Sequence, residues 1–173
     1  MAVVRNRNNS GDRNRERRLI SIEDTNFIYR TNFSGDPERD SFGSDARVAN
    51  VIIPNHEQAR ELIEAGFNVK MTKPKPDEEE GFIPTYFVSV KVNYNTDYPP
   101  KIYLVSGNAE PVLLDEESVD ILDKCYVLNV NVTLNPYLNP RTGRSSLYVR
   151  TMYVEQDIEE DPFAHRYGRR NEE

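Results

Sequence analysis

Five residues within a short stretch carry the clearest chemistry in this chain: Tyr137, Arg141, Arg144, Tyr148 and Arg150. Guanidinium groups attract phosphate oxygens, and phenol rings offer flat faces on which unpaired bases stack. Cations interleaved with aromatics therefore suit a single-stranded nucleic acid. The surrounding segment, Tyr126 to Val154, holds no Asp or Glu across 29 residues, in a chain with 29 acids among 173 residues. A surface built from it would carry no competing anion of its own.

These side chains need elements to hold them. Tyr126, Leu128, Val130, Val132 and Leu134 alternate with Val127, Asn129, Asn131 and Thr133. Further on, Leu147, Val149, Thr151 and Tyr153 alternate with Tyr148, Arg150 and Met152. Both runs predict half-buried strands. The connection NPYLNPRTGRSS, with two Asn-Pro steps and a Thr-Gly, predicts a long hairpin loop between them.

Earlier segments supply further strands. Thr25–Phe33 places Phe27, Tyr29, Thr31 and Phe33 on one face, and Arg47–Ile53 is closed by Pro54. Asn55 is positioned to cap a helix with Ala59, Leu62 and Ile63 at helical spacing and Gly66 as its stop. Phe67–Met71 reads as a short strand. In Thr85–Tyr94, Val88, Val90 and Val92 point inward with Tyr86 and Tyr94, and Phe87 with Lys91 points outward. Lys101–Val105 turns Ile102 and Leu104 inward and Lys101 with Tyr103 outward. Leu114–Leu122 predicts a short acidic helix that docks Val119 and Leu122. About seven strands and two short helices, with a helix before the final hairpin, suit a mainly-β small barrel of the OB type with additions; a β-sandwich is the alternative. The outward residues Phe87, Lys91, Lys101 and Tyr103 join the hairpin as candidate binding residues. Tyr29 and Arg30 are added on a strand with apolar residues on both faces.

Charge is segregated along the chain. Net charge is −7, yet residues 1–18 hold six arginines against Asp12 and Glu16 and are read as a disordered basic arm. Residues 19–154 form the expected domain. Residues 155–173 are an acidic tail, seven acids against three arginines. Most acids of the domain sit in residues 55–65, 77–80 and 115–123, so a positive groove elsewhere is compatible with the acidic total.

Other chemistries lack their residues. His56, His165 and Cys125 are too few and too scattered for a zinc site. No phosphate loop, dinucleotide fingerprint or nucleophile elbow is present. Asp77 to Glu80 lie between prolines and Gly81 and read as a solvated loop rather than a two-metal site. The expectation is a chain without enzymatic activity, metal or cofactor. No apolar run is long enough for a membrane span, and a lone cysteine fits a cytoplasmic setting.

Several segments together resemble a family of bacteriophage single-stranded DNA-binding proteins with an OB-type core. In order, these are FIYRTNFSG, VIIP before a helix ending in AGFNVK, YFVSVKVNY, PPKIYLVSG, LLDEESVDILD, the hairpin, and YVRTMYV before the acidic tail. The resemblance covers Thr25 to Phe163, and it is carried by order and spacing. It implies sequence-tolerant coating of single-stranded DNA during phage replication or recombination, in the host bacterial cytoplasm. The tail segment DIEEDPF, with Asp157, Glu159, Glu160, Asp161 and Phe163, is similar to the acidic tails by which bacterial single-strand binding proteins dock replication and repair partners. Here it is followed by AHRYGRRNEE, so a pocket for a terminal carboxylate would not be satisfied. A virion structural or assembly module and a ring-forming single-strand annealing protein are the alternative functions, and a homo-oligomer is compatible with all three.

Overall fold

In the computed structural model, residues 19–40 and 42–158 are described. The chain forms β1 (Ile20–Thr25), β2 (Phe27–Asn32), β3 (Arg47–Ile53), α1 (His56–Glu64), β4 (Lys70–Met71), β5 (Tyr86–Val92), β6 (Lys101–Ser106), β7 (Val112–Leu114), β8 (Val127–Leu138) and β9 (Ser145–Gln156). The sheet runs β1-β8-β9-β5-β3-β2, with β4 on β5 and the β6–β7 pair on β9. Its two end strands are consecutive in sequence and separated only by Asn26. That junction is tied on both sides. Thr25 Oγ1 donates to Ile52 O at 2.6 Å, Ile52 N to Asn26 O at 3.0 Å, and Asn26 Nδ2 to Val127 O at 3.0 Å. The path therefore returns on itself as a small OB-like barrel, β1/β2–β3–β5–β9–β8. β5 and β9 meet as its parallel pair, and the other neighbours on this path are antiparallel.

Apolar residues drive this closure. Val51, Val88, Val90, Ile102, Val130, Leu134, Met152 and Val154 are all essentially buried and belong to one cluster. Their removal from water is the main favourable term in folding. Asn55 caps α1 as its residue type predicts, its side chain accepting from Glu57 N and Gln58 N, while Ala59 and Leu62 pack inward. Gln58 Nε2 bonds Ser21 O at 2.8 Å and ties the helix to β1.

The structure departs from the sequence reading at several elements. Residues 25–33 do not form one strand, because Thr25 ends β1 and β2 starts at Phe27. The two short strands β1 and β7 add to the expected set, and the third predicted strand shrinks to Lys70–Met71. The acidic helix is instead a 3-10 turn over Val119–Asp123, and Leu114 belongs to β7. Asp115 explains the shortening, since its carboxylate accepts from Glu117 N and Ser118 N and offers the backbone an alternative to helix. The turn still buries Val119 and Leu122. β9 continues to Gln156.

Two bulges change which side chains face outward. Thr133 pairs Thr151, whereas Leu134 pairs Val149, so Arg150 is the extra residue on β9. Leu147 and Val149 are buried before it and Met152 and Val154 after it. Thr151 and Tyr153 thus face away from the core, against the single alternation read from sequence. A second irregularity at Leu128 leaves Tyr126 and Leu128 exposed and turns Val127 toward the core.

Candidate functional site

β9 is the backbone of the candidate site because it borders three other long elements. Along its first half Tyr148 pairs Asn135 of β8 on one side and Lys91 of β5 on the other. With Leu147, Val149 and Val90 buried, Tyr148 and Lys91 are directed to the outer face. Tyr137, two residues along β8, joins them with its ring centroid 6.5 Å from that of Tyr148 in an edge contact. Lys91 Nζ lies 6.0 Å from the Tyr148 ring. The result is an exposed cation beside two partly exposed rings, with Arg150 exposed just beyond.

The hairpin tip is ordered by its own side chains. Asn139 Oδ1 accepts from Arg141 N at 2.9 Å, Gly143 N bonds Asn139 O at 2.8 Å, and Asn139 N bonds Arg144 O at 2.8 Å. Gly143 sits at φ +74°, a conformation that the turn needs and glycine adopts without strain. Backbone groups are satisfied inside the loop, so the Arg141 and Arg144 side chains project into solvent. Among the described residues the ion pairs are Arg39–Asp123 at 3.7 Å and Arg47–Glu116 at 3.8 Å. Lys91, Lys101, Arg141, Arg144 and Arg150 are in neither.

At the β2 side, Tyr29 adopts φ +66°, uncommon for a residue with a β-carbon, where the β2–β3 register shifts. This places its ring on the surface, 63 % exposed. Phe87 lies beneath it, the centroids 5.3 Å apart edge to face. Phe87 does point away from the valine core, but it is only 7 % exposed. It supports Tyr29 instead of offering a face of its own, which corrects its reading as a stacking platform. Arg30 is exposed on the same strand.

The connection between β2 and β3 is held by Asp123, one of the acids of segment 115–123 to which the sequence reading assigned no individual role. Its carboxylate accepts from Thr31 Oγ1 at 2.6 Å, Phe33 N at 2.8 Å and Ser34 N at 2.9 Å, and the side chain is 2 % exposed. Arg39, near the same carboxylate, donates through Nε and Nη2 to Thr31 O. The loop is thereby fixed against the 3-10 turn, whose Val119 and Leu122 join the core. Nothing in LDEESVDILD alone separates this buried acid from its exposed neighbours.

Arg47 lies 5.7 Å from the Tyr94 ring centroid. Burial pushes the Tyr94 phenol up to about 12, against the opposing effect of Arg47.

A second cluster lies further along β9, where Lys101 pairs Thr151 and Tyr103 pairs Tyr153. The two rings are stacked, centroids 4.7 Å apart and 12° between planes. Tyr153 is 41 % exposed and was not among the expected site residues. Its signal was the three-residue step from Val149 to Met152, which simple alternation cannot bury without a bulge. Of the tail candidates, Asp157 is described, its N–H donating to Tyr126 O at 2.7 Å. Glu159, Glu160, Asp161 and Phe163 lie outside the described residues, as does the arm 1–18. No group of three or more His, Cys, Asp or Glu able to hold a metal ion is found among the described residues. No helix among them is long and apolar enough to cross a membrane.

No curated protein matches the chain. Among solved structures, the C-terminally truncated single-stranded DNA-binding protein from bacteriophage Enc34 aligns at 13 % identity and TM-score 0.45, covering 80 % of this chain and 86 % of that one. The form of that protein without the truncation aligns at 12 % identity and TM-score 0.44, covering 80 % and 81 %. The single-stranded DNA-binding protein gp2.5 of bacteriophage T7 aligns at 14 % identity and TM-score 0.33, covering 86 % and 93 %. A family model described as "Putative phage ssDNA-binding domain" matches residues 10–171, nearly the full length, and the chain belongs to that family.

Proposed function

We propose that this protein binds single-stranded DNA without reading its sequence and without enzymatic activity, coating strands exposed during phage replication or recombination. One observation carries the reading. Lys91, Tyr137 and Tyr148 come from three strands to one outer face, directly beneath a hairpin tip whose Arg141 and Arg144 reach into solvent. Phosphates are drawn to the cations while bases stack on the rings, and neither contact distinguishes one base from another. Tyr29 and Arg30 extend the same surface toward β2. OB-type barrels generally take oligonucleotides on a strand face and on loops such as the one joining their last two strands. The family membership supports this reading independently.

A fluorescence titration tests it, with oligothymidylate and a duplex of equal length at one salt concentration. Tighter binding to the single strand is expected. Equal or tighter binding to the duplex would remove stacking on exposed rings as the basis of recognition. Partner docking through the acidic tail belongs to the same proposal, with Asp157 and the acids that follow it as the contacting groups.

A further inference from the structure

We infer that the DNA track continues along β9 from Tyr148 to a second stacking station, Tyr103 with Tyr153, where it ends. This rests on the single-strand reading above and adds a direction and a length to it. Ile102 and Met152 are fully buried and paired in register, so the neighbouring Tyr103–Tyr153 pair stands on the outer face. The stacked pair already presents flat aromatic surface, with Tyr153 41 % exposed. Five chain steps separate Tyr148 from Tyr153 and the bulge at Arg150 takes up one of them, which leaves a rise of about 13 Å at ~3.3 Å per residue. At ~3.4 Å per stacked nucleotide, that gap holds about four nucleotides.

Charge along β9 gives the path its end. Between the stations stand two exposed cations, Arg150 and, opposite Thr151, Lys101. The first acid appears past the second station, where Glu155 pairs Val105. A polyanion is therefore attracted between the stations and repelled beyond Tyr153. The bulge at Arg150 is what makes this possible, because unbroken alternation would direct Tyr153 inward and expose Met152. The strand pair β6–β7 has its own part, since β6 supplies Lys101 and Tyr103 as an addition to the barrel strands. Leu113, exposed opposite Tyr103, would instead favour a protein contact at the same row, and the experiment separates the two.

The full chain, Tyr148→Ala, Tyr103→Ala, Tyr153→Ala, Tyr103→Phe and Tyr153→Phe are titrated with oligothymidylates from roughly three to twelve nucleotides, a range bracketing the ~4–16 nucleotides of OB folds. Tyr103→Ala and Tyr153→Ala are expected to weaken binding of the longest oligonucleotides by about fivefold or more, and to leave the shortest unchanged. The Phe variants retain wild-type affinity, and Tyr148→Ala weakens binding at every length. Thermal melts verify that each variant is folded. If the wild type binds no single strand, the function itself is wrong. If it binds and the Ala variants match it at every length, the second station is refuted while the function stands. Equal losses at all lengths also refute a separate station. Unchanged DNA affinity with altered sedimentation would identify Tyr103 and Tyr153 as a protein contact, overturning the inference.

Discussion

Replacing both hairpin arginines, Arg141→Gln and Arg144→Gln, tests the electrostatic half of the function without touching the core. Both side chains are exposed and in neither ion pair of the described residues, so stability should change by no more than about 0.5 kcal/mol. If Lys91, Lys101, Arg141, Arg144 and Arg150 each meet a phosphate, log K falls against log salt with a slope near −3.5, at about −0.7 per contact on a single strand. Raising salt from ~50 to ~200 mM would then cost the wild type roughly 130-fold in affinity. With three contacts left, the slope becomes about −2.1 and the same change costs roughly 20-fold. Fluorescence titrations at four or so salt concentrations measure both slopes. Parallel slopes, with any affinity difference independent of salt, would show that the hairpin cations do not contact phosphates and would refute the reasoning.

Further outcomes follow from the same geometry. Tyr148→Ala should weaken binding by roughly 5- to 150-fold, the range of one stacked base, while Tyr148→Phe keeps most of the affinity in the same titration. Asp123→Ala removes the acceptor of Thr31 Oγ1, Phe33 N and Ser34 N, and should destabilise the fold by about 3 kcal/mol in urea unfolding. A loss near zero would mean that water replaces the carboxylate. Gly35→Ala places a β-carbon 2.9 Å from Asp45 O at φ +72°, so a loss of about 2 kcal/mol is expected by the same method, part of it the left-handed strain. Deleting residues 159–173 leaves β9 whole and removes Glu159, Glu160 and Asp161, which could compete with DNA for the cationic face as a tethered anion. Relative to the full chain, the truncated protein should bind single strands more tightly, with the larger gain at low salt; affinity equal to that of the full chain at both low and high salt would refute competition.

Local chemistry was legible in the sequence wherever a residue acts through its immediate neighbours. Asn55 announced a helix cap, Val88–Val90–Val92 announced a core-facing strand, and the anion-free hairpin with Arg141 and Arg144 announced a cationic loop. Each depends on periodicity or backbone hydrogen bonding over a few positions, which the chain order contains. The tertiary structure decided what depends on partners remote in sequence. Phe87 was correctly placed on the outer side of its strand, but only the fold brought Tyr29 over it and buried it. Asp123 resembled its solvated neighbours until β2 and the following loop supplied three donors from about ninety residues away. Tyr153 changed faces because the register between β8 and β9 shifts at Arg150, and register is a property of two strands, not one. A one-residue slip inverts every side chain after it, so alternation along a single strand cannot by itself assign a face beyond a bulge.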